Sequence, residues 1–200
     1  MRSQSNTVPK RRRGTALLEA AVLLVLVVGA GWLLRQGHQR YMRAAYPLLY
    51  VQQVEQNAAA WGISPSLVYA VIRTESQFDP EAVSHKDARG LMQLTTPTLE
   101  WAQSRHPIKE ELAQEDLLDP AVNIRYGVYV LKLLGEQFDQ TETVVAAYNA
   151  GQGKVRDWLR NSAYSSDGHT LDEIPYPETE RYVAEVMDTQ RIYQELYGIA

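Results

Sequence analysis

The sequence predicts an all-α domain preceded by one membrane-length helix. Residues 16–34 form an apolar run interrupted by a single charge, Glu19. Beyond residue 45 the punctuation is helical: Ser64-Pro65 and Asp119-Pro120 place a capping side chain before a proline at the first helical position, Thr96-Pro97 marks another start, and Gly62 and Gly151 mark stops. No strand–helix alternation and no hairpin turn signal occurs, which excludes a doubly wound sheet and a β-sandwich.

The apolar run comes first. Its 19 residues approach the roughly 20 needed to cross a hydrocarbon core. Five Lys/Arg precede it (Arg2, Lys10, Arg11, Arg12 and Arg13) and three follow it (Arg35, Arg40 and Arg43). The denser basic side predicts a cytoplasmic N-terminus and an external C-terminus. Trp32 suits the outer interface. The expected organisation is a basic cytoplasmic tail at 1–15, a single-pass signal-anchor at 16–34, a linker at 35–44 and a folded domain at 45–200. The rival is a signal peptide cleaved near Gly29-Ala30-Gly31, after which the domain is secreted.

The domain's elements follow in order. A first helix is expected over 46–60, ended by Gly62. Ser64 caps a second, which runs to about Gln77 and stops before Phe78-Asp79-Pro80. Residues 84–90 read as a loop, and Leu91–Leu94 as a short apolar segment. Thr96-Pro97 opens a helix to about Ser104. Asp119-Pro120 caps a longer one to about Phe138, with Val122, Ile124, Val128, Leu131 and Leu134 as its apolar surface. Thr141 is expected to cap a helix ending at Gly151. A short helix at 153–160, a loop at 161–177 and a last helix at 178–197 complete the domain.

Composition narrows the function. Residues 1–43 carry eight Lys/Arg and one acid, a net +7; residues 44–200 carry twelve Lys/Arg and 23 acids, a net −11. A domain this acidic lacks the clustered cations that nucleic acid requires. There is no cysteine, so disulfides, thiolate metal sites and cysteine nucleophiles are excluded. The histidines at 38, 85, 106 and 169 have no metal-ligand spacing on one helix and read as solvent-exposed. Gly151-Gln152-Gly153-Lys154 lacks the full phosphate-loop pattern and a preceding strand.

Four segments depart from ordinary helix chemistry. Val68, Val71, Ile72 and Glu75 fall at i, i+3, i+4 and i+7, so a carboxyl continues a core-facing stripe. Burial would hold its proton towards neutral pH, as a general acid requires. Gly90-Leu91-Met92-Gln93 puts an amide with donors and an acceptor in a tight turn. Val144, Val145 and Tyr148 share a face, so the Tyr148 phenol points inward and needs a partner, for which a carboxyl would serve; Asn149 follows at the helix stop. Ile174-Pro175-Tyr176-Pro177-Glu178-Thr179 stiffens an aromatic plate of the kind that stacks on sugars. In isolation each has a simpler account: a terminal-turn acid in water, a helix cap with a core plug, a core tyrosine, a rigid linker.

Together, in this order, the segments resemble the soluble lytic transglycosylase family, whose catalytic domain has a goose-type lysozyme-like fold. The family pattern of Glu-Ser, Gly-Leu-Met-Gln, Ala-Tyr-Asn and Pro-Tyr-x-Glu-Thr reads here as Glu75-Ser76, Gly90–Gln93, Ala147–Asn149 and Pro175–Thr179. Asp119–Ile124 followed by Gly127 looks like the family's long central helix. The resemblance covers about 60–190. It departs where the family has Met-Pro soon after the Gln and this chain has Leu94-Thr95-Thr96-Pro97. It departs again where Glu-Thr-Arg becomes Glu178-Thr179-Glu180, with Arg181 one place later.

The resemblance implies cleavage of the MurNAc-β-1,4-GlcNAc bond of peptidoglycan with formation of 1,6-anhydro ends, without metal or other cofactor. It implies Glu75 as the catalytic acid and base, with Tyr148 holding its carboxyl. Ser84 and Gln93 would bind substrate, and Asn149 would fix the cleft wall. Ser76, Gly90, Leu91, Met92, Tyr176 and Glu178 complete the substrate-binding or positioning set. The implied partners are peptidoglycan glycan strands and, through the N-terminal helix, the membrane. A hydrolytic muramidase and a non-catalytic wall-binding module are the alternatives.

Overall fold

The computed structural model describes residues 11–199, with side chains described from residue 16; Arg2 and Lys10 of the basic tail lie outside the described residues. Two units are present, residues 1–45 and 46–200.

The first unit is one helix, α1 (Arg11–Ala45), of 35 residues. Within its stretch from Ala16 onward the most apolar 18 residues have a mean hydropathy of 2.4 and no buried side chain, so by length and composition it is a candidate membrane span. The helix does not stop at Leu34. It continues through the residues expected to join anchor and domain: Arg35–Ala45 extends the rod by about 16 Å at 1.5 Å per residue. Nothing in Arg35–Ala45 breaks a helix, because its one Gly, Gly37, is tolerated in a helix interior and no Pro occurs before Pro47.

The second unit is helical, and among the described residues its only β pairing is two isolated bridges, Val83 with Arg89 and Arg89 with Leu94. Its helices are α2 (Val51–Trp61), α3 (Pro65–Ser76), α4 (Thr96–Arg105), α5 (Pro120–Gly135), α6 (Thr141–Ala150), α7 (Gln152–Leu159) and α8 (Pro177–Tyr197). The capping logic holds at Gly62, left-handed at φ 66°, and at Ser64, whose hydroxyl accepts from Leu67 N–H. Asp119 accepts from the N–H groups of Ala121 and Val122. Two helix starts differ, α5 ends at Gly135 rather than near Phe138, and one element is new. α2 starts at 51, because Tyr50 is left-handed at φ 54° and cannot continue a helix. The cap of α6 is Gln140, which makes no side-chain cap bond, so Thr141 is the first helical residue. A 3₁₀ turn, Gln114–Leu118, precedes α5 and was not expected.

Two helices form the centre. On α3 every residue from Ser66 to Ile72 is buried, and on α5 ten of the twelve from Asn123 to Leu134 are. A helix apolar all round belongs inside. α8 packs along α3, and α2 and α6 pack on α5. His106 is also inside, which corrects its reading as exposed: it is 1% exposed, ringed by Trp61, Tyr126 and Tyr129. Its Nδ1 meets Ile108 N–H at 3.2 Å.

The segment between α3 and α4 folds back on itself. Arg89 and Leu94 exchange backbone bonds of 2.9 and 3.1 Å, and Gly90 N–H reaches Ala82 O at 2.9 Å. The loop Gly90–Gln93 is thereby pressed onto α5. Gly90 sits at φ +73°, and a Cβ there would lie 2.2 Å from Leu117 O and 2.4 Å from Asn123 Nδ2. Gly127 is equally constrained, since its Cβ would lie 2.3 Å from Met92 Sδ. Gly90→Ala therefore meets both a left-handed backbone and a fixed carbonyl. It is expected to cost roughly 2–4 kcal/mol in urea unfolding. Gly135→Ala, with open space around it, should change stability by under about 1 kcal/mol.

Candidate active site

Glu75 occupies the last turn of α3 and is partly buried. It lines a cleft of about 380 Å³ with Ser84, Gln93, Tyr148, Asn149 and Glu178. A second, more open hollow of about 610 Å³ shares Glu75, Ser84 and Gln93. The acid thus stands where two concavities meet. Burial pushes its carboxyl up to about 7, against the opposing effect of a hydrogen bond from Tyr182.

That bond runs from Tyr182 Oη to Glu75 Oε1 at 2.6 Å. It corrects the expected role of Tyr148, whose hydroxyl donates instead to Met92 O at 2.7 Å. Tyr148 still lines the cleft, and burial together with the nearby Glu75 raises its own phenol well above the usual range. Tyr182 was missed by the sequence reading. The spacing of Tyr182, Val183, Val186, Thr189 and Tyr193 signals an inward phenol on α8, but not which group it meets.

The motif around Gly90 is structural support for the cleft. Leu91 and Met92 are fully buried and do not line it, which leaves positioning, of the two expected roles, as the one their place allows. Their backbone polar groups are taken up by side chains. Ser76 Oγ donates to Leu91 O at 2.8 Å, so Ser76 ties α3 to the loop and leaves Glu75 aimed into the cleft. Asn123, fully buried on α5, accepts from Met92 N–H at 2.7 Å and donates to Arg89 O at 2.9 Å and Leu117 O at 2.7 Å. Asn123 was read only as part of the long helix, and it is the clamp of the loop.

Gln93 is held at φ +47°, a conformation rare for a side-chain-bearing residue. Its amide nitrogen donates to Ala82 O at 3.0 Å and Gly90 O at 2.9 Å, leaving the carbonyl oxygen as the end able to meet a ligand. Gln77, Phe78 and Asp87 are also left-handed, so four of the five such non-glycine residues described lie in the segments that frame this cleft. Strain concentrated this way is a mark of functional sites.

The remaining predicted residues divide. Ser84 lines both hollows and its hydroxyl accepts from Lys86 and Ala88 N–H at 3.2 and 3.1 Å. Asn149 accepts from Thr179 Oγ1 at 2.9 Å, which joins the end of α6 to the start of α8. Glu178, exposed on the first turn of α8, faces the cleft. Tyr176 does not line it. It packs edge-on to Trp158 at 5.1 Å under Lys154 at 5.0 Å and is 44% exposed, outside the lining of this cleft. Arg181 Nε donates to Pro177 O at 3.1 Å, so here the arginine steadies a helix start. Leu94 is buried in the core and Thr95 caps α4, so the departure after Gln93 is absorbed by packing. Among the described residues no three His, Asp or Glu side chains cluster as a metal site.

Residues 52–170 match the family model described as Transglycosylase SLT domain. The chain belongs to the transglycosylase SLT domain family. It is 32% identical over 160 residues to the soluble lytic murein transglycosylases of Salmonella typhimurium and Escherichia coli K12, covering 79% of this chain and 25% of each of those proteins. It is 31% identical over 166 residues to membrane-bound lytic murein transglycosylase C of Salmonella arizonae, covering 72% of this chain and 46% of that protein. The crystal structure of the 70 kDa soluble lytic transglycosylase of Escherichia coli superposes with a TM-score of 0.70 at 30% identity, over 78% of this chain and 26% of that one. An inactive glutamate-to-glutamine mutant of the Pseudomonas aeruginosa enzyme gives 0.67 at 30% identity, over 77% and 25%. The all-α, lysozyme-like fold of this SLT domain follows from these matches. The chain spans about a quarter of the length of the soluble relatives.

The raised carboxyl makes a stability prediction with a definite sign. Glu75 titrates near 4.5 when unfolded and near 7 when folded, so the folded state binds the extra proton between those values. Stability is full below about pH 4.5 and falls as pH rises towards 7. Glu75→Gln, which resembles the protonated acid, should therefore raise stability at pH 8 by roughly 1–3 kcal/mol and leave it unchanged at pH 4, read by thermal unfolding at both pH values.

Proposed function

We propose that this SLT domain is a peptidoglycan lytic transglycosylase and that Glu75 carries both proton transfers. The observation behind the reading is one carboxyl, held near neutral by burial and oriented by Tyr182, at the meeting of two hollows. A glycan strand running through both would place a glycosidic oxygen at Glu75. The relatives, named as lytic murein transglycosylases, support the substrate class. So does the complex of the Escherichia coli structural relative with bulgecin A.

In this mechanism the protonated Glu75 donates to the glycosidic oxygen as the bond to C1 of N-acetylmuramic acid breaks. The muramic N-acetyl carbonyl stabilises the positive charge at C1. The Glu75 carboxylate then takes the proton of the C6 hydroxyl as that oxygen bonds to C1. The product is a 1,6-anhydromuramic end; the proton returns to Glu75 and no water is consumed. Two-carboxylate glycosidases need a second acid at a defined distance. Here the upward shift of Glu75 comes from burial rather than from a neighbouring carboxylate. Tyr182 is a positioning residue that fixes the carboxyl and favours its ionised form. Gln93 and Ser84 offer oxygens to the sugar's hydroxyl and amide groups, and Asn149, tied to Thr179, shapes the wall.

The proposed organisation places α1 across a membrane, with the basic tail at 1–15 in the cytoplasm and the domain from about residue 46 outside. Its support is the apolar stretch from Ala16, the excess of cations before it and the membrane-bound relative. Because α1 stays helical through Ala45, the tether is a stiff spacer.

Two measurements test the chemistry. Mass spectrometry of muropeptides released by the full chain in detergent should show products about 18 Da lighter than hydrolytic ones, one water apart, and Glu75→Gln should release none. Reducing ends in their place would make the enzyme a muramidase. Tyr182→Phe should lower kcat roughly 10-fold and move the basic limb of the pH–rate profile upward from about 7, because the donor that favours the ionised carboxyl is gone. An unmoved limb would remove Tyr182 from the mechanism.

A further inference from the structure

The cleft around Glu75 does not end at Tyr148. Thr98, Val130, Tyr148 and Gly151 also line a narrow neck of about 170 Å³. Trp101 and Gln152 carry that neck into a trough of about 480 Å³ formed by α4, the C-terminal half of α5 and the start of α7. Shared residues thus connect the acid to a second region that the mechanism above does not use.

The trough has the opposite charge to the domain around it. It is lined by Arg105, Lys132 and Arg156 with Glu136 as its acid, in a domain whose residues from 44 onward net −11. Lys132 is neutralised by Glu136 at 2.7 Å. Among the described residues neither Arg105 nor Arg156 pairs with a carboxylate, whereas Arg89, Arg125, Arg160 and Arg191 all do. Both are nevertheless held in place by neutral oxygens. The Arg156 guanidinium donates to Gln137 Oε1 and, at 2.8 Å, to Gln152 Oε1. Arg105 donates to Trp101 O at 3.3 Å and Ser104 Oγ at 3.0 Å, with its guanidinium 5.4 Å from the Trp101 ring centre.

An arginine fixed by neutral acceptors keeps its full charge and its other N–H donors, in the planar fork that matches a carboxylate. Both side chains are exposed, and these bonds restrain them before a ligand arrives. Trp101 adds an apolar face at the junction of neck and trough. The site therefore suits a ligand carrying carboxylates on a short, partly apolar chain that leads away from the sugar cleft. On the proposed reading of that cleft, the muramic residues within it bear such a chain: the stem peptide, with its free carboxylates.

We propose that Arg105 and Arg156, with Trp101, form an anion subsite for the stem-peptide carboxylates of peptidoglycan, reached from the Glu75 cleft through the neck at Tyr148. The site makes the enzyme prefer glycan that still carries peptides. The inference rests on the lytic reading for the identity of its ligand, and its test is a binding measurement that needs no turnover.

The full chain bearing Glu75→Gln is taken in detergent and its binding measured to intact peptidoglycan and to glycan stripped of stems by an amidase. Adding Arg105→Gln and Arg156→Gln should weaken binding to intact peptidoglycan by about 5–20-fold and leave binding to stripped glycan unchanged. The difference should shrink when salt is raised from about 50 to about 500 mM. Arg160→Gln, whose partner is Asp157, should change neither. An equal loss on both polymers would overturn the proposal and give the trough to the glycan itself. No loss on either would also overturn it. Failure of the lytic reading shows elsewhere, as absence of anhydro ends from the chain with Glu75 intact.

Discussion

The structure depends on the burial of a polar loop. Gly90–Gln93 runs between α3, α5 and α6 with its backbone largely out of water, and every buried N–H or C=O must be paired. The pairs come from side chains: Ser76 for Leu91 O, Asn123 for Met92 N–H, and Tyr148 for Met92 O. Removing one partner leaves an orphaned group whose desolvation costs more than the bond itself was worth. These pairs fix the spacing of the three helices, and with it the distance between the end of α3, which bears Glu75, and the wall that bears Asn149. Glycine at 90 and 127 follows from the same constraint, because the loop lies too close to α5 for any Cβ.

The site then separates into two layers with different physical tasks. Glu75, Ser84, Gln93, Asn149 and Glu178 meet the open space of the cleft. Ser76, Leu91, Met92, Asn123 and Tyr182 touch the first group or the loop behind it. Much of what reads as a sequence signature belongs to the second layer. Such residues hold a strained, left-handed backbone at Gln77, Phe78 and Gln93 in one conformation. Rigidity of this kind suits a group that must be held in one geometry for proton transfer.

Local chemistry was legible in the sequence where its cause was local. Ser64, Asp119 and Gly62 cap or stop helices through bonds to residues at most four positions away, so the spacing alone predicts them. A carboxyl on an apolar stripe drew attention to Glu75, and the four segments in family order singled it out. The partner of that carboxyl was not legible, because Tyr182 is one of twelve tyrosines and its bond spans 107 positions. Tyr148 answered the same description of an inward phenol, and nothing in one dimension ranks two of them. His106 was misread for a related reason. The rings that enclose it lie on α2 and α5, so its burial is a property of packing rather than of its own helix. The conformation of the linker was not stated from sequence, although no residue there interrupts the hydrogen bonding of α1.

The bond between Glu75 and Tyr182 also sets an order of assembly. α3 lies early in the domain and α8 is its final helix, so the carboxyl gains its donor only when the whole intervening chain has been made and packed. Asn149 waits on Thr179 of the same last helix. A nascent or truncated domain lacking α8 has the acid but neither of these restraints, and the stripe of α3 that α8 covers is left open to water. The complete set of restraints on the Glu75 carboxyl is thereby withheld until folding is complete.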